Sequence, residues 1–173
     1  HIGYSQGCIP GAFEYSDCIV ERMTNLENGF ACFVANSRYG WYQPSGSGGS
    51  SQLFDREFFD ALNGEGIHRI GSTNQDSKED LAGSVSGDGS MRWTYYCLNL
   101  FGDPTLSIWS SAPMEQNLTY SSELVTGMPE MELILMSDGE AVEDALVALT
   151  RNGVLYGMGE TDADGELVIV FDE

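Results

Sequence analysis

Positive charge is what this sequence has least of. Its 173 residues carry 7 Lys+Arg against 27 Asp+Glu, a formal net charge of −20. Such a surface repels nucleic-acid phosphates and the anionic face of a membrane, so neither is an expected partner. A basic ligand, Ca²⁺ or high salt suits it better. Histidine is scarce too, with only His1 and His68. The four cysteines, Cys8, Cys18, Cys32 and Cys97, contain no Cys-x-x-Cys pair, and with so few histidines a structural zinc site of the usual spacing is excluded. Two disulfides are arithmetically available, but irregular spacing and a 42% apolar composition, enough for a proper core, favour mostly free thiols. No apolar run approaches the ~20 residues of a membrane span, and the longest, Phe30 to Ala35, has the length of a strand. An initiating Met and a signal-peptide pattern are also lacking, which raises the expectation of sequence upstream of His1.

What is present reads first as α/β. Residues 2–5 form a strand candidate that runs into Gln6-Gly7-Cys8-Ile9-Pro10-Gly11, whose glycines permit a tight turn. A helix follows, with Ser16 as its expected N-cap and Ile19, Val20, Met23 and Leu26 at helical spacing. Phe30 to Ala35 then suits a strand buried on both faces, giving a parallel strand-helix-strand unit. Residues 36–51 are too long for an ordinary connection, and the aromatics Tyr39, Trp41 and Tyr42 favour function at its first half. Ser50 or Ser51 is the expected cap of a second helix burying Leu53, Phe54, Phe58, Ala61 and Leu62. Residues 66–71 read as a short edge segment and 72–89 as polar and weakly helical. Residues 91–100 read as a helix with Trp93, Tyr96, Cys97 and Leu100 inward, and 105–109 as a final strand. Cys32 and Cys97 read as small hydrophobes of the core.

Past Trp109 the helical periodicity stops. Residues 110–113 have linker chemistry, and 114–173 alternate as strands. Asn152-Gly153 marks one hairpin, and Asp162-Ala163-Asp164-Gly165 a second, leading into a strand over 166–171. Without a third acidic ligand and a closing Glu, the latter is a turn before it is a calcium loop. Asn117-Leu118-Thr119 is a formal glycosylation sequon.

Local sequence leaves Cys8 open between packing residue and nucleophile. Several stretches together narrow the choice: Ser5-Gln6-Gly7-Cys8-Ile9-Pro10-Gly11-Ala12-Phe13, Asp17-Cys18-Ile19-Val20-Glu21, residues 29–41, and Asn99-Leu100-Phe101-Gly102-Asp103-Pro104-Thr105-Leu106. These resemble, in order over residues 1–109, the gingipain-type cysteine peptidases. The resemblance implies a partial caspase-like, three-layer α/β/α domain over 1–109. After the linker it implies a small all-β immunoglobulin-like sandwich over 114–173, reduced or truncated beside the roughly 100 residues of such a fold. It implies Cys8 as the nucleophile, with Gly7 shaping an oxyanion hole to which the Cys8 N–H contributes. Ser37, Tyr39 and Trp41 fall in the segment that lines the substrate pocket, although Trp41 also reads as a loop aromatic packed on the domain edge.

A thiol needs a histidine to lower its pKa and to protonate the leaving amine. In the family that residue lies upstream of the cysteine. His1 stands about seven residues before Cys8, some 20 Å away at ~3.3 Å per residue, and at the wrong end of the strand. His68 has no matching motif. The expectation is therefore a catalytic His from upstream sequence or a processed partner chain, no cofactor for the chemistry, and a protein or peptide substrate. A secreted or cell-envelope setting and room for structural Ca²⁺ complete it, with no ligand set named. The rival reading is a non-catalytic adhesion or assembly module on a caspase-like scaffold.

Overall fold

The computed structural model describes residues 1–121, 123, 127 and 129–170. The chain divides into two compact units, His1–Ser111 and Ala112–Glu173. In the first, β1 (Ile2–Ser5) and β2 (Cys32–Asn36) pair in parallel, with Ile2 opposite Cys32 and Ser5 opposite Ala35. Between them lies α1 (Ile19–Asn25), so the strand-helix-strand unit forms as the apolar spacing predicts. The apolar run of β2 has a direct cause. Successive side chains point to opposite faces of a strand, and here each face meets its own cluster. Cys32 and Val34 pack with Phe54, Phe58, Ile70, Met91 and Leu98 on one side, while Phe33 and Ala35 pack with Val20, Cys18 and Phe101 on the other. The sheet is thus covered twice, as a three-layer arrangement requires.

Helix α1 departs from expectation. Its N-cap is Cys18, whose backbone N–H donates to the Glu21 carboxylate at 2.9 Å, and Ser16 lies outside the helix. Only Val20 is buried, whereas Ile19 and Leu26 are exposed, because seven residues lay a single side chain on the sheet. Helix α2 (Ser50–Asn63) starts from Gly49 and buries Phe54, Phe58, Ala61 and Leu62, with Leu53 half-buried. Full burial of a phenylalanine side chain is worth roughly 1.5–3 kcal/mol, so Phe54 and Phe58 anchor this layer. Helix α3 (Ile70–Val85) begins where the sequence suggests an edge segment, which reduces to one bridge between Arg69 and Ser107. Its buried side includes Thr73 and Ser77, each of which returns a hydroxyl hydrogen bond to a nearby backbone carbonyl.

The expected helix over 91–100 is two elements. Helix α4 (Gly89–Cys97) is started by Asp88, whose carboxylate accepts from the N–H groups of Ser90 and Met91, and it ends at Cys97. Strand β3 (Leu98–Gly102) follows and pairs antiparallel with β2, Asn36 opposite Leu98 and Cys32 opposite Gly102. Residues 105–109, expected as the final strand, contribute only the bridge at Ser107. Alternation decides the matter, because Leu98 and Leu100 fill one cluster while Phe101 fills the other. The buried side of α4 is Met91 and Thr94, and Trp93 and Tyr96 point outward.

The second unit holds β4 (Gln116–Tyr120), β5 (Glu130–Ser137), β6 (Glu140–Ala141), β7 (Leu146–Arg151), β8 (Val154–Glu160) and β9 (Glu166–Val170). Strands β4, β6 and β9 all pair antiparallel with β5, and β7 and β8 form a separate two-stranded sheet. The β7–β8 hairpin turns at Asn152 and Gly153, both at positive φ (52° and 78°), the conformation for which Asn-Gly is suited. The expected second hairpin is not one. Strand β9 crosses to β5, and Asp162 turns the chain by accepting the N–H groups of Asp164 and Glu166 at 3.0 and 2.9 Å. The two sheets meet where a Cβ on Gly159 would lie 2.7 Å from the Leu167 side chain. Phe171, expected to close the last strand, lies outside the described residues.

Candidate active site around Cys8

Cys8 lies just beyond the end of β1 and is the exposed one of four free thiols. Cys18 and Cys32 are buried and Cys97 half-buried, and burial pushes all three thiols up, which keeps them protonated. The Cys8 turn is tied at several points. The Gly7 N–H donates to Ser5 Oγ at 3.1 Å, and the Ile9 N–H donates to the Arg38 carbonyl at 2.8 Å. Gly11 N–H donates to the Asn36 carbonyl at 3.1 Å. From the interior, the fully buried Asn36 side chain donates through Nδ2 to the carbonyls of Gln6 (3.3 Å) and Gly7 (3.1 Å). Ile9 itself sits at φ 57°, an unusual conformation for a β-branched residue and one that only surrounding contacts sustain.

Gly40 closes the turn from above. A Cβ there would lie 2.2 Å from the Gln6 carbonyl oxygen, so no side chain fits, and the Gly40 carbonyl is 3.8 Å from Cys8 Sγ. Below, the Gln6 side chain donates to Asp55 on α2. Burial raises the Asp55 carboxyl above its usual range, partly offset by that hydrogen bond. Burial also raises Tyr4, whose hydroxyl is enclosed without a partner among the described residues.

The structure sorts the residues expected at the site. Gly7 has its N–H engaged by Ser5, so it shapes the turn and is not itself a free donor. Ser37, expected to line a substrate pocket, is instead buried, donating to the Cys97 carbonyl at 3.2 Å and accepting from Asn99. Its position at the end of β2 makes it structural. Tyr39 is exposed, and its carbonyl receives the Trp93 indole N–H at 3.0 Å, which explains why Trp93 faces outward. Trp41 is 48% exposed and walls an open depression of about 420 Å³, shared with Tyr42, Leu53, Asp88 and Met91. Its backbone makes reciprocal bonds with Ser51, Trp41 N–H to Ser51 Oγ (3.0 Å) and Ser51 N–H to the Trp41 carbonyl (2.9 Å).

Both histidines lie away from the thiol. The His1 carbonyl accepts from Ala31 N–H, at the end of the sheet where β1 begins. His68 is exposed, and its carbonyl accepts from Ile108, which lines one depression together with His1 and Ile2. Among the described residues, the thiol's end of the sheet holds no histidine. Sequence reasoning missed Asn36, Asp55 and Gly40; the available signal was an Asn closing an otherwise apolar strand. It also named no acidic ligand set, whereas Glu65, Asp76 and Asp80 bring carboxylate oxygens within 4.8 Å of one another. Glu65 is raised above its usual range chiefly by the Asp76 charge, and Asp76 by burial and then the Asp80 charge.

No curated protein matches this chain significantly. Among solved structures, gingipain R (RgpB), described as an Arg-specific cysteine proteinase, superposes with a TM-score of 0.76 at 18% identity, covering 99% of this chain and 39% of that one. The complex of Porphyromonas gingivalis RgpB pro- and mature domains gives 0.71 at 18%, covering 98% and 40%. A structure described only as a protease gives 0.62 at 17%, covering 99% and 41%. The chain therefore shares their fold while spanning about two fifths of their length. Residues 1–109, with Cys8 and its turn among them, match peptidase family C25, and the chain belongs to that family.

Proposed function

We propose that this chain is part of a secreted or cell-envelope cysteine endopeptidase of the gingipain type, with Cys8 as its nucleophile. The observation that carries the reading is the placement of Cys8: an exposed thiol on a clamped turn at the end of a parallel strand pair, whereas Cys18 and Cys32 are buried and Cys97 is half-buried. In the proposed reaction the Cys8 thiolate adds to the scissile carbonyl carbon and the carbonyl π electrons move to oxygen. The oxyanion faces the Cys8 N–H, which has no acceptor among the described residues. Collapse of this intermediate expels the amine, which takes a proton from a histidine outside this chain and leaves a thioester on Cys8. Water, activated by the same base, then hydrolyses the thioester and restores the thiol. The location of His1 and His68 away from the thiol supports a base supplied by another part of the polypeptide or a processed partner chain.

Tyr39 and Trp41 flank the thiol through Gly40 and are the residues we assign to substrate contact. The net charge of −20 favours the approach of cationic peptides. The second unit is read as an immunoglobulin-like module that docks the enzyme to a surface. Structural Ca²⁺ fits Glu65, Asp76 and Asp80: the donors are hard carboxylate oxygens, and Asp76 Oδ2 is buried without a hydrogen-bond partner among the described residues. That ion would tie the end of α2 to α3 and takes no part in the chemistry. The deciding experiment applies a thiol-directed covalent peptide inhibitor to the full-length protein. Labelling at Cys8 with loss of hydrolysis is expected, and labelling that survives Cys8→Ala overturns the assignment.

A further inference from the structure

We infer that Asn36 is a positioning residue for the reaction: its buried amide sets the plane of the Gly7–Cys8 peptide so that the Cys8 N–H is presented on the solvent side, where the oxyanion forms. The inference rests on the reading of Cys8 as nucleophile. Its starting point is elementary. In a trans peptide the carbonyl of one residue and the N–H of the next point in opposite directions. The Gly7 carbonyl is held inward by Asn36 Nδ2 at 3.1 Å, so the N–H of Cys8 points outward. The Gln6 carbonyl is held by the same nitrogen at 3.3 Å, which fixes two consecutive peptide planes from one buried side chain.

Asn36 is itself held in place. It ends β2 with its backbone in register opposite Leu98, and its carbonyl accepts the Gly11 N–H at 3.1 Å, so one residue grips the turn on both sides of the thiol. Its amide orientation is dictated by its neighbours, since two carbonyl oxygens require a donor. The other amide atom, Oδ1, is buried and has no hydrogen-bond partner among the described residues. An enclosed, unpaired acceptor costs stability. A merely structural polar residue at this position gains nothing from that cost, whereas a donor required at Nδ2 explains it. Ile9, at φ 57° immediately after Cys8, shows the same arrangement from the other side: a conformation kept against its intrinsic preference, anchored by its N–H to Arg38.

The test is Asn36→Asp in the full-length protein, which keeps the shape and replaces the donor by an acceptor facing two carbonyls. Three readouts separate positioning from folding: kcat and KM for a peptide substrate, inhibition by a peptide aldehyde, and the rate of Cys8 alkylation by iodoacetamide. An aldehyde captures the thiolate as a thiohemiacetal whose oxygen needs the N–H donor. Alkylation displaces iodide from carbon and forms no oxyanion. We expect kcat and aldehyde affinity each to fall by about 10²-fold, the range seen when one oxyanion donor is lost, with KM and the alkylation rate within about threefold of wild type. Asn36→Ala, which introduces no charge, is expected to show the same split at about tenfold. Equal loss in all three readouts, no loss in aldehyde affinity, or failure of both variants to fold each overturns the inference and leaves Asn36 a fold residue. Failure of the nucleophile reading shows separately, as hydrolysis and aldehyde inhibition that persist in Cys8→Ala.

Discussion

The two units of this chain use their apolar residues in different ways. In His1–Ser111 the sheet is covered on both faces, and Phe54, Ile70, Val20, Val34 and Leu98 are almost completely enclosed. In Ala112–Glu173 the buried hydrophobic side chains among the described residues are Leu133, Leu135 and Ile169, while Leu146, Leu155, Tyr156, Met158 and Val168 remain more than a third exposed. The difference shows where rigidity is needed. Holding a thiol, two peptide planes and a loop in fixed relation requires a core on both sides of a strand, whereas a module built of two small sheets needs enough burial to keep its register and little more.

The comparison is sharpened most strongly by chemistry. Cys8→Ala in the full-length protein should lower peptide hydrolysis by more than about 10³-fold. Removal of residues 112–173 should leave turnover within about twofold and abolish surface attachment, and a large loss of turnover on that deletion would show that the second unit helps form the site. Next in size are core truncations read by urea denaturation. Phe54→Ala should cost about 3–5 kcal/mol and Leu135→Ala about 2 kcal/mol, and equal costs would erase the contrast between the cores.

Smaller effects come from the carboxylates of the first unit. Glu65 and Asp76 hold protons more tightly folded than unfolded. Their unfavourable contribution is therefore fully present at neutral pH and is relieved as pH falls from the raised folded values toward the ordinary carboxylate range. Millimolar Ca²⁺ at pH 7 should raise the melting temperature by a few degrees, and Asp76→Asn should raise it without Ca²⁺ and remove the response; an unchanged response would dismiss these three ligands. The smallest expected effect is at Asp55, also raised by burial. Asp55→Asn keeps an acceptor for Gln6, so it should stabilise slightly at pH 7 and not at pH 3, as followed by thermal melts. The opposite order would mean that the carboxylate's charge is favourable where it stands.

Much of the fold was legible because it depends on local pattern. The parallel pair β1–β2, helix α2 and the Asn152-Gly153 hairpin follow from apolar spacing and turn chemistry. What was not legible depends on partners distant in sequence. The boundary between α4 and β3 turns on alternate residues of 98–101 meeting two different clusters, and a helical count over the same apolar residues fits the sequence equally well. The change of sheet at Asp162 looks locally like a hairpin, because the turn is the same and only the destination differs. At the candidate site, the turn after a strand and the exposed loop aromatics could be read in advance. Asn36 could not, since its role comes from two carbonyls about thirty positions earlier.

The mutual bonds between Trp41 and Ser51 have a practical consequence. They close the stretch ahead of α2, residues 42–48, into a loop whose ends are fastened by bonds outside it, and Asn36 and Gly40 stand outside it as well. Since the cost of closing a loop grows only slowly with its length, this stretch is an exchangeable cassette. Sequences of other lengths and chemistries, grafted between the fastened ends, would redraw the rim of the depression beside Trp41 while the turn carrying the thiol stays where it is.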